Sequence, residues 1–323
     1  MDRGTKLVSI VSGCFNEEGN LQRFYDRLHA AFAKVPQYEY EIIIADNCST
    51  DHSRAILREI ASRDRRFKVI FNANNFGPVR SGYNAFLQAT GDAVVLMSSD
   101  LQDPPELIPD FIRLWEEGNH VVAAVKSRSQ EHPLMFLCRR LYYRVLAWAS
   151  DTTPMINDFN GFGLYDRKFM NALTKYNEPL PYLRGLVGEI GLRRTEVEFI
   201  QPRRSAGQSK HSFMTLYDVA MSGFIGHSKL PLRLAVFAGF SMAAVSLAIA
   251  AGYFVWKLLY WDTFSLGLAP VLIGFFFFAA VQLVFIGVVG EYIGAILTQV
   301  KNHPLVIEDE KINFHPTPAD PRD

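Results

Sequence analysis

Cysteine is scarce. Cys14, Cys48 and Cys138 are odd in number and form no CxxC pair, which argues against a disulfide framework or a zinc knuckle and fits a reducing, cytoplasmic setting. Net charge is absent as well: 33 basic residues balance 33 acidic ones over 323 positions. Charge therefore says nothing about partners, and no nucleic acid is expected among them. No G-x-G-x-x-G follows the first apolar run, so a dinucleotide-binding site has no support. The opening apolar stretch, Leu7 to Val11, is broken at once by Ser12, Gly13 and Asn16. It is too short for a signal-peptide core, and the first domain is expected not to be exported. There is no internal repeat.

Charged residues are frequent through the first two thirds and nearly vanish between Leu234 and Gly290. Leu234 to Trp256 carries none and exceeds the about 20 helical residues needed to cross a hydrocarbon core. A second uncharged run, Thr263 to Gly290, follows a turn containing Asp262, so the two read as a transmembrane hairpin. Lys229 and Arg233 before it and Lys301 after it outweigh Lys257 in the turn, which places both flanks in the cytoplasm. The expected organisation is a domain over 1–211, an amphipathic juxtamembrane helix over 212–229, a hairpin over 230–300 with spans at about 233–257 and 266–292, and a tail over 301–323. In the tail, Leu305 to Ile307 is a candidate short strand for a sheet edge. Within the first domain, Met135 to Trp148 sets Leu137, Leu141, Val145 and Trp148 on one helical face and Arg140 and Arg144 on another. This pattern suits a helix lying in the membrane interface, or alternatively a core helix with a solvated basic side.

The first domain alternates strands with helices. Lys6 to Cys14, Tyr40 to Ala45, Phe67 to Phe71, Ala93 to Met97 and His120 to Val125 read as strands, with helices from about Leu21 to Val35, up to Arg63, near Tyr83 to Ala89 and from Glu106 to Glu117. Thr195 to Ile200 reads as a later strand. Such alternation predicts an α/β fold with a mainly parallel sheet covered on both faces.

Open sheets of this kind bind ligands at the carboxyl ends of their strands. SSDLQDPPE, Ser98 to Glu106, places Asp100 and Asp103 there. Asp100 and Gln102 offer hard oxygen ligands for Mg2+ or Mn2+, with water and a ligand's phosphates completing the shell. The plainer alternative is an acidic turn that caps the next helix. Glu18, Asp46 and Asp100 follow successive strands, and each is either part of one crevice addressing base, ribose and metal, or a helix cap. Arg203 to His211, RRSAGQSKH, is basic and flexible and reads as an anion-binding loop or a solvated one.

An ordered set of motifs then becomes recognisable: FNEE at Phe15 to Glu18, ADNCSTD at Ala45 to Asp51, NFGPVRSG at Asn75 to Gly82, SSDLQDPPE, YLRGLVGEIG at Tyr182 to Gly191, and RRSAGQSKH. With the two spans behind it, this set resembles the polyprenyl-phosphate glycosyltransferases of glycosyltransferase family 2, relatives of dolichol-phosphate mannose synthase, and among them the bacterial bactoprenol glucosyltransferases. The resemblance implies a GT-A (Rossmann-like) nucleotide-sugar-binding domain. It implies donor contacts from Asn16, Glu18, Asp46, Asn47, Asn75, Gly77, Arg80, Ser99 and Asp100, and metal contacts from Asp100, Gln102 and Ser98. Lys126, Arg128, Arg203 and Lys210 would hold the acceptor phosphate, and Asp158, with Asp100, would be catalytic, either as a base or in orienting a substrate. Two departures stand out. Ser98 replaces the first Asp of the family's acidic triplet, leaving a backbone oxygen as its metal ligand, and Gly163 stands where an Arg is common.

The implied activity is transfer of a hexose, glucose from UDP-glucose, to undecaprenyl phosphate at the cytoplasmic face of a bacterial inner membrane. The implied protein is multi-pass, with both termini in the cytoplasm, and forms a homo-oligomer such as a tetramer. A processive polysaccharide synthase is the weaker alternative, because its QxxRW motif is missing. A non-catalytic membrane-bound nucleotide-sugar-binding scaffold is the other.

Overall fold

A computed structural model describes residues 5–128, 156, 159–176, 183–202, 230–260, 268–301 and 303–314. The expected interfacial helix at 135–148, the juxtamembrane helix at 212–229, and Asp158, Arg203 and Lys210 lie outside the described residues. The chain divides into two compact units, one from 1–143, 152–212 and 302–323, the other from 144–151 and 213–301.

The first unit is an eight-stranded sheet. Its strands are β1 (Leu7–Cys14), β2 (Glu39–Asp46), β3 (Phe67–Asn72), β4 (Ala93–Leu96), β5 (Val121–Arg128), β6 (Phe159–Asp166), β7 (Arg194–Ile200) and β8 (Glu308–Ile312). The order is β7-β5-β6-β4-β1-β2-β3-β8. β1 pairs in parallel with β2 and β4, as β2 does with β3 and β5 with β7. β6 runs antiparallel to β4 and β5, and β8 antiparallel to β3.

Strand residues alternate between two covered faces, as a period of two requires. Val8, Ile10, Ile42 and Ile44 meet α1 (Leu21–Phe32), α2 (Ser53–Arg63) and α4 (Ile108–Glu116) through Phe24, Leu28, Leu57, Ile60 and Phe111. Val11, Ile43, Ile70 and Val94 meet α3 (Pro78–Leu87), α5 (Arg167–Leu173) and α6 (Leu183–Ile190) through Phe86, Phe169, Leu173 and Leu186. Each of these fully buried aromatic or branched side chains stabilises the fold by roughly 1.5–3 kcal/mol relative to exposure.

Three elements depart from the sequence-based expectation. β6 was not among the expected strands, because FNGFGLYD has two glycines and no continuous apolar run. Gly163 is paired between Leu96 and Ala123, and a Cβ there would lie 2.3 Å from the Val122 carbonyl oxygen. β5 therefore comes closer to Gly163 than any side chain permits. The tail strand was expected at Leu305 to Ile307 and instead forms at Glu308–Ile312, where its partner is β3 of the same chain. That edge is used internally, so β8 offers no support for the expected homo-oligomer. Lastly, α3 begins at Pro78, several residues before the expected start, with Gly77 at φ 82° before it. Pro at N1 is a start signal, because its missing N–H has no helical acceptor to satisfy.

The second unit contains α7 (Leu230–Leu259) and α8 (Leu268–Val300). At 1.5 Å per residue they extend about 45 and 50 Å. Segments Leu232–Trp256 and Phe277–Leu297 are long and apolar enough to cross a membrane by length and composition.

Candidate active site

The chain builds β1, β2 and β3 outward in one direction, then places β4 on the other side of β1. That reversal makes a crevice beyond the carboxyl ends of β1 and β4, the point where doubly wound sheets take ligands. The Ser99 hydroxyl donates to the Gly13 carbonyl at 2.8 Å, fastening the two strand ends together.

On the β1 and β2 side, Asn16 has a left-handed φ of 56°. Its backbone N–H donates to Ser49 Oγ at 2.9 Å, and its Oδ1 accepts from the Thr50 N–H at 2.8 Å. Glu18 accepts from the His52 N–H at 2.9 Å and from the His52 ring at 3.0 Å, across the start of α2. Asp46 is fully buried and bonded by Arg54 Nε at 2.7 Å, with the Ser49 N–H 3.3 Å from both carboxylate oxygens. Arg54 also reaches the Asn72 carbonyl at 2.8 Å. Asn47 donates to Asn75 Oδ1 at 2.7 Å and accepts from the Phe76 N–H at 2.9 Å. Gly77 N–H reaches Asn75 Oδ1 at 2.9 Å. Arg80 donates through Nη2 to the Pro304 carbonyl at 2.5 Å.

On the β4 side, Ser98, Asp100 and Gln102 share one turn, with Leu101 at φ 63°. Asp100 Oδ1 accepts from the Ser98 hydroxyl at 2.6 Å and the Gln102 N–H at 3.0 Å. Asp103, also buried, accepts from the Ser98 N–H at 2.9 Å and from Asn160 Nδ2, on β6, at 3.2 Å. Burial pushes the Asp103 carboxyl up to about 6, helped by the Asp100 charge and opposed by those two bonds and by Lys126. Lys126 is on β5, and the backbone places Arg128 at the end of the same strand.

The structure thus brings Asn16, Glu18 and Asp46 into one bonded network through the Ser49 to Arg54 segment, and Asn47, Asn75 and Gly77 into a second. Ser98, Asp100 and Gln102 form the third, beside Ser99. The reading of residues alone missed Arg54, Ser49 and Asn160. Ser49 lay within the ADNCSTD motif, Asn160 stands three positions before Gly163, and Arg54 stands eight positions beyond Asp46 with nothing local to mark the pairing. Among the described residues no three His, Cys, Asp or Glu side chains cluster as metal ligands. One carboxylate beside main-chain and amide oxygens suits a Mg2+ or Mn2+ ion that takes its remaining ligands from phosphate and water, so the Asp100 turn fits a cation held jointly with a phosphorylated ligand.

The model of the family described as "Glycosyl transferase family 2" matches residues 9–174, which spans the whole crevice. The chain belongs to glycosyltransferase family 2. It is a glycosyltransferase with the family's GT-A fold. It is 34% identical over 300 residues to an uncharacterised glycosyltransferase, YkcC, of Bacillus subtilis (strain 168), covering 93% of this chain and 92% of that one. It is 31% identical over 302 residues to the bactoprenol glucosyl transferase of Shigella phage SfII, covering 93% and 96%. Among solved structures, glucosyl-3-phosphoglycerate synthase from Mycobacterium tuberculosis aligns with a TM-score of 0.45 at 19% identity, over 68% of this chain and 78% of that one.

Proposed function

We propose that this glycosyltransferase moves a hexose, glucose from UDP-glucose, onto a polyprenyl phosphate such as undecaprenyl phosphate. The reaction takes place at the cytoplasmic face of a bacterial inner membrane, with α7 and α8 as a two-span anchor and both termini in the cytoplasm. The observation that carries this reading is the match to a bactoprenol glucosyl transferase over 93% of the chain, which takes in the crevice and the apolar helices alike.

Both substrates are anionic at the ends that must meet. Two unit charges about 5 Å apart at an effective dielectric of about 20 repel by roughly 3 kcal/mol, so positive charge has to gather between them. Lys126, Arg128, Arg203 and Lys210 hold the acceptor phosphate through charge-assisted hydrogen bonds. Glu18, Asp46 and the Asn47 to Asn75 network shape the nucleotide side. Asp100, with Gln102 and the main chain at Ser98, would hold Mg2+ or Mn2+, which when bound supplies charge neutralisation at the diphosphate. An acceptor phosphate oxygen forms the new bond to the anomeric carbon as the bond from that carbon to the diphosphate breaks in line, inverting the centre. The acceptor is already ionised near neutral pH, so Asp158 orients a substrate more than it removes a proton. A polyprenyl tail stays in the bilayer, which is why the crevice works at a membrane surface.

The test is a panel of radiolabelled nucleotide sugars with undecaprenyl phosphate and membranes containing the protein. One labelled lipid carrying a single sugar, formed best from UDP-glucose, is the expected product. A lengthening polymer would favour a processive synthase, and UDP-sugar binding without turnover by any donor would favour a scaffold.

A further inference from the structure

The family model ends at residue 174, yet the segment after the last apolar helix comes back to the sugar-donor side of the sheet. Pro304 O accepts from Arg80 Nη2 at 2.5 Å, and Ile307 O accepts from the Ala73 N–H at 3.0 Å. Glu308 Oε1 takes Asn84 Nδ2 at 2.7 Å and Gln88 Nε2 at 2.5 Å, both from the α3 side. Val306 is buried, and Leu305 rests against the cluster containing Ile70, Tyr83 and Phe86. Asn313, at a left-handed φ of 63°, ends the segment by donating to the Ala61 and Phe67 carbonyls at 2.7 and 2.9 Å.

Ala73, Asn74 and Asn75 are themselves exposed, and a loop with so little buried surface takes its order from what holds its ends. One end is tied to Ile307, the other to Pro304 through Arg80. Between them Asn75 is bonded to Asn47, at the mouth of β2. We propose that residues 304–313 are a clamp that positions the 73–80 loop for the donor nucleotide, with Glu308 and Asn313 as positioning residues. Arg80 in this arrangement serves the loop by gripping the tail. The affinity part of the proposal rests on the donor-site reading above; the ordering of the loop does not.

The test uses the full chain in detergent. Glu308→Ala is expected to speed amide hydrogen exchange across 73–88 while leaving β1 and β4 protected. It is also expected to raise the UDP-sugar KM by roughly tenfold, with kcat and the acceptor KM within about twofold of the parent. Glu308→Gln keeps an acceptor oxygen and is expected to behave as the parent in both measurements. Asn313→Ala, which frees the far end of the segment, is expected to repeat the Glu308→Ala pattern more weakly. Unchanged exchange across 73–88 in both alanine variants, or a fall in kcat at constant donor KM, overturns the clamp. If the parent turns over no UDP-sugar, the donor reading fails, and the exchange measurement by itself decides the clamp.

Discussion

The pairing of Asp46 with Arg54 makes a quantitative claim about the β2 side of the crevice. Asp46 is completely buried, the Arg54 side chain is 27% exposed, and Nε lies 2.7 Å from the carboxylate. Replacing Arg54 by Met leaves that carboxylate with the Ser49 N–H at 3.3 Å as its remaining hydrogen-bond donor among the described residues, and removes a donor from the Asn72 carbonyl. Breaking a buried pair from one side costs about 3–5 kcal/mol. Partial exposure of Arg54 lets water reach the site, so the lower figure applies, about 3 kcal/mol. In a domain of this size that lowers the thermal midpoint by roughly 6–12 °C. The assay is a fluorescence melt of the full protein in detergent, run as a cycle with Asp46→Asn and the double variant. Removing both charges is expected to recover most of the loss, with a coupling of about 2 kcal/mol. A drop below about 0.5 kcal/mol in Arg54→Met, or simple additivity of the two changes, would falsify the claim that this pair holds the strand end together.

Asp100→Ala is expected to abolish metal-dependent transfer while the melting midpoint stays near the parent's; full activity in that variant removes Asp100 from the mechanism. Gly163→Ala forces a Cβ to within 2.3 Å of the Val122 carbonyl and is expected to cost about 3 kcal/mol or more, read as a lowered midpoint. Asp103 gives a pH signature. Its carboxyl titrates at about 6 when folded, above its unfolded value of 3.8, so between those values the native state holds a proton that the unfolded chain has lost. Stability therefore falls as pH rises from about 4 to 6, by up to about 3 kcal/mol. Asp103→Asn is expected to flatten that slope in melts across the range, and an unchanged slope refutes the assignment. Lys126→Ala is expected to raise the acceptor KM about tenfold with the donor KM unchanged, measured with a water-soluble short-chain polyprenyl phosphate.

Much of the fold was legible because β1 to β5 are short apolar runs bounded by polar turns, and a doubly wound sheet follows from their alternation with helices. The motif residues around the crevice were legible for the same reason, since each follows a strand. What stayed hidden depends on contacts distant in sequence. FNGFGLYD carries two glycines, which weaken a strand signal, and the reason for one of them, the approach of β5 to Gly163, lies in a distant segment. EDEKI is too charged to announce a strand, and it is one because β3 offers an open edge with Arg58 beside it, 2.5 Å from Glu310. Asp46 was read as a nucleotide contact, and no local pattern reveals that Arg54 satisfies it from the next helix. Ser98 looked like a loss of charge from the acidic triplet; the structure gives its hydroxyl and N–H to Asp100 and Asp103, where another carboxylate would have repelled both.

Among the described strands the eighth is the last to be synthesised, after both apolar helices. Until it emerges from the ribosome, the backbone groups along the outer side of β3 have no ladder partner, although the other seven described strands are already in hand. A half-made chain thus carries an unguarded sheet margin, of the kind that recruits foreign strands, for as long as synthesis of α7 and α8 takes. Maturation of this enzyme is accordingly ordered: the sheet gains its outer strand only once both long apolar helices have been made.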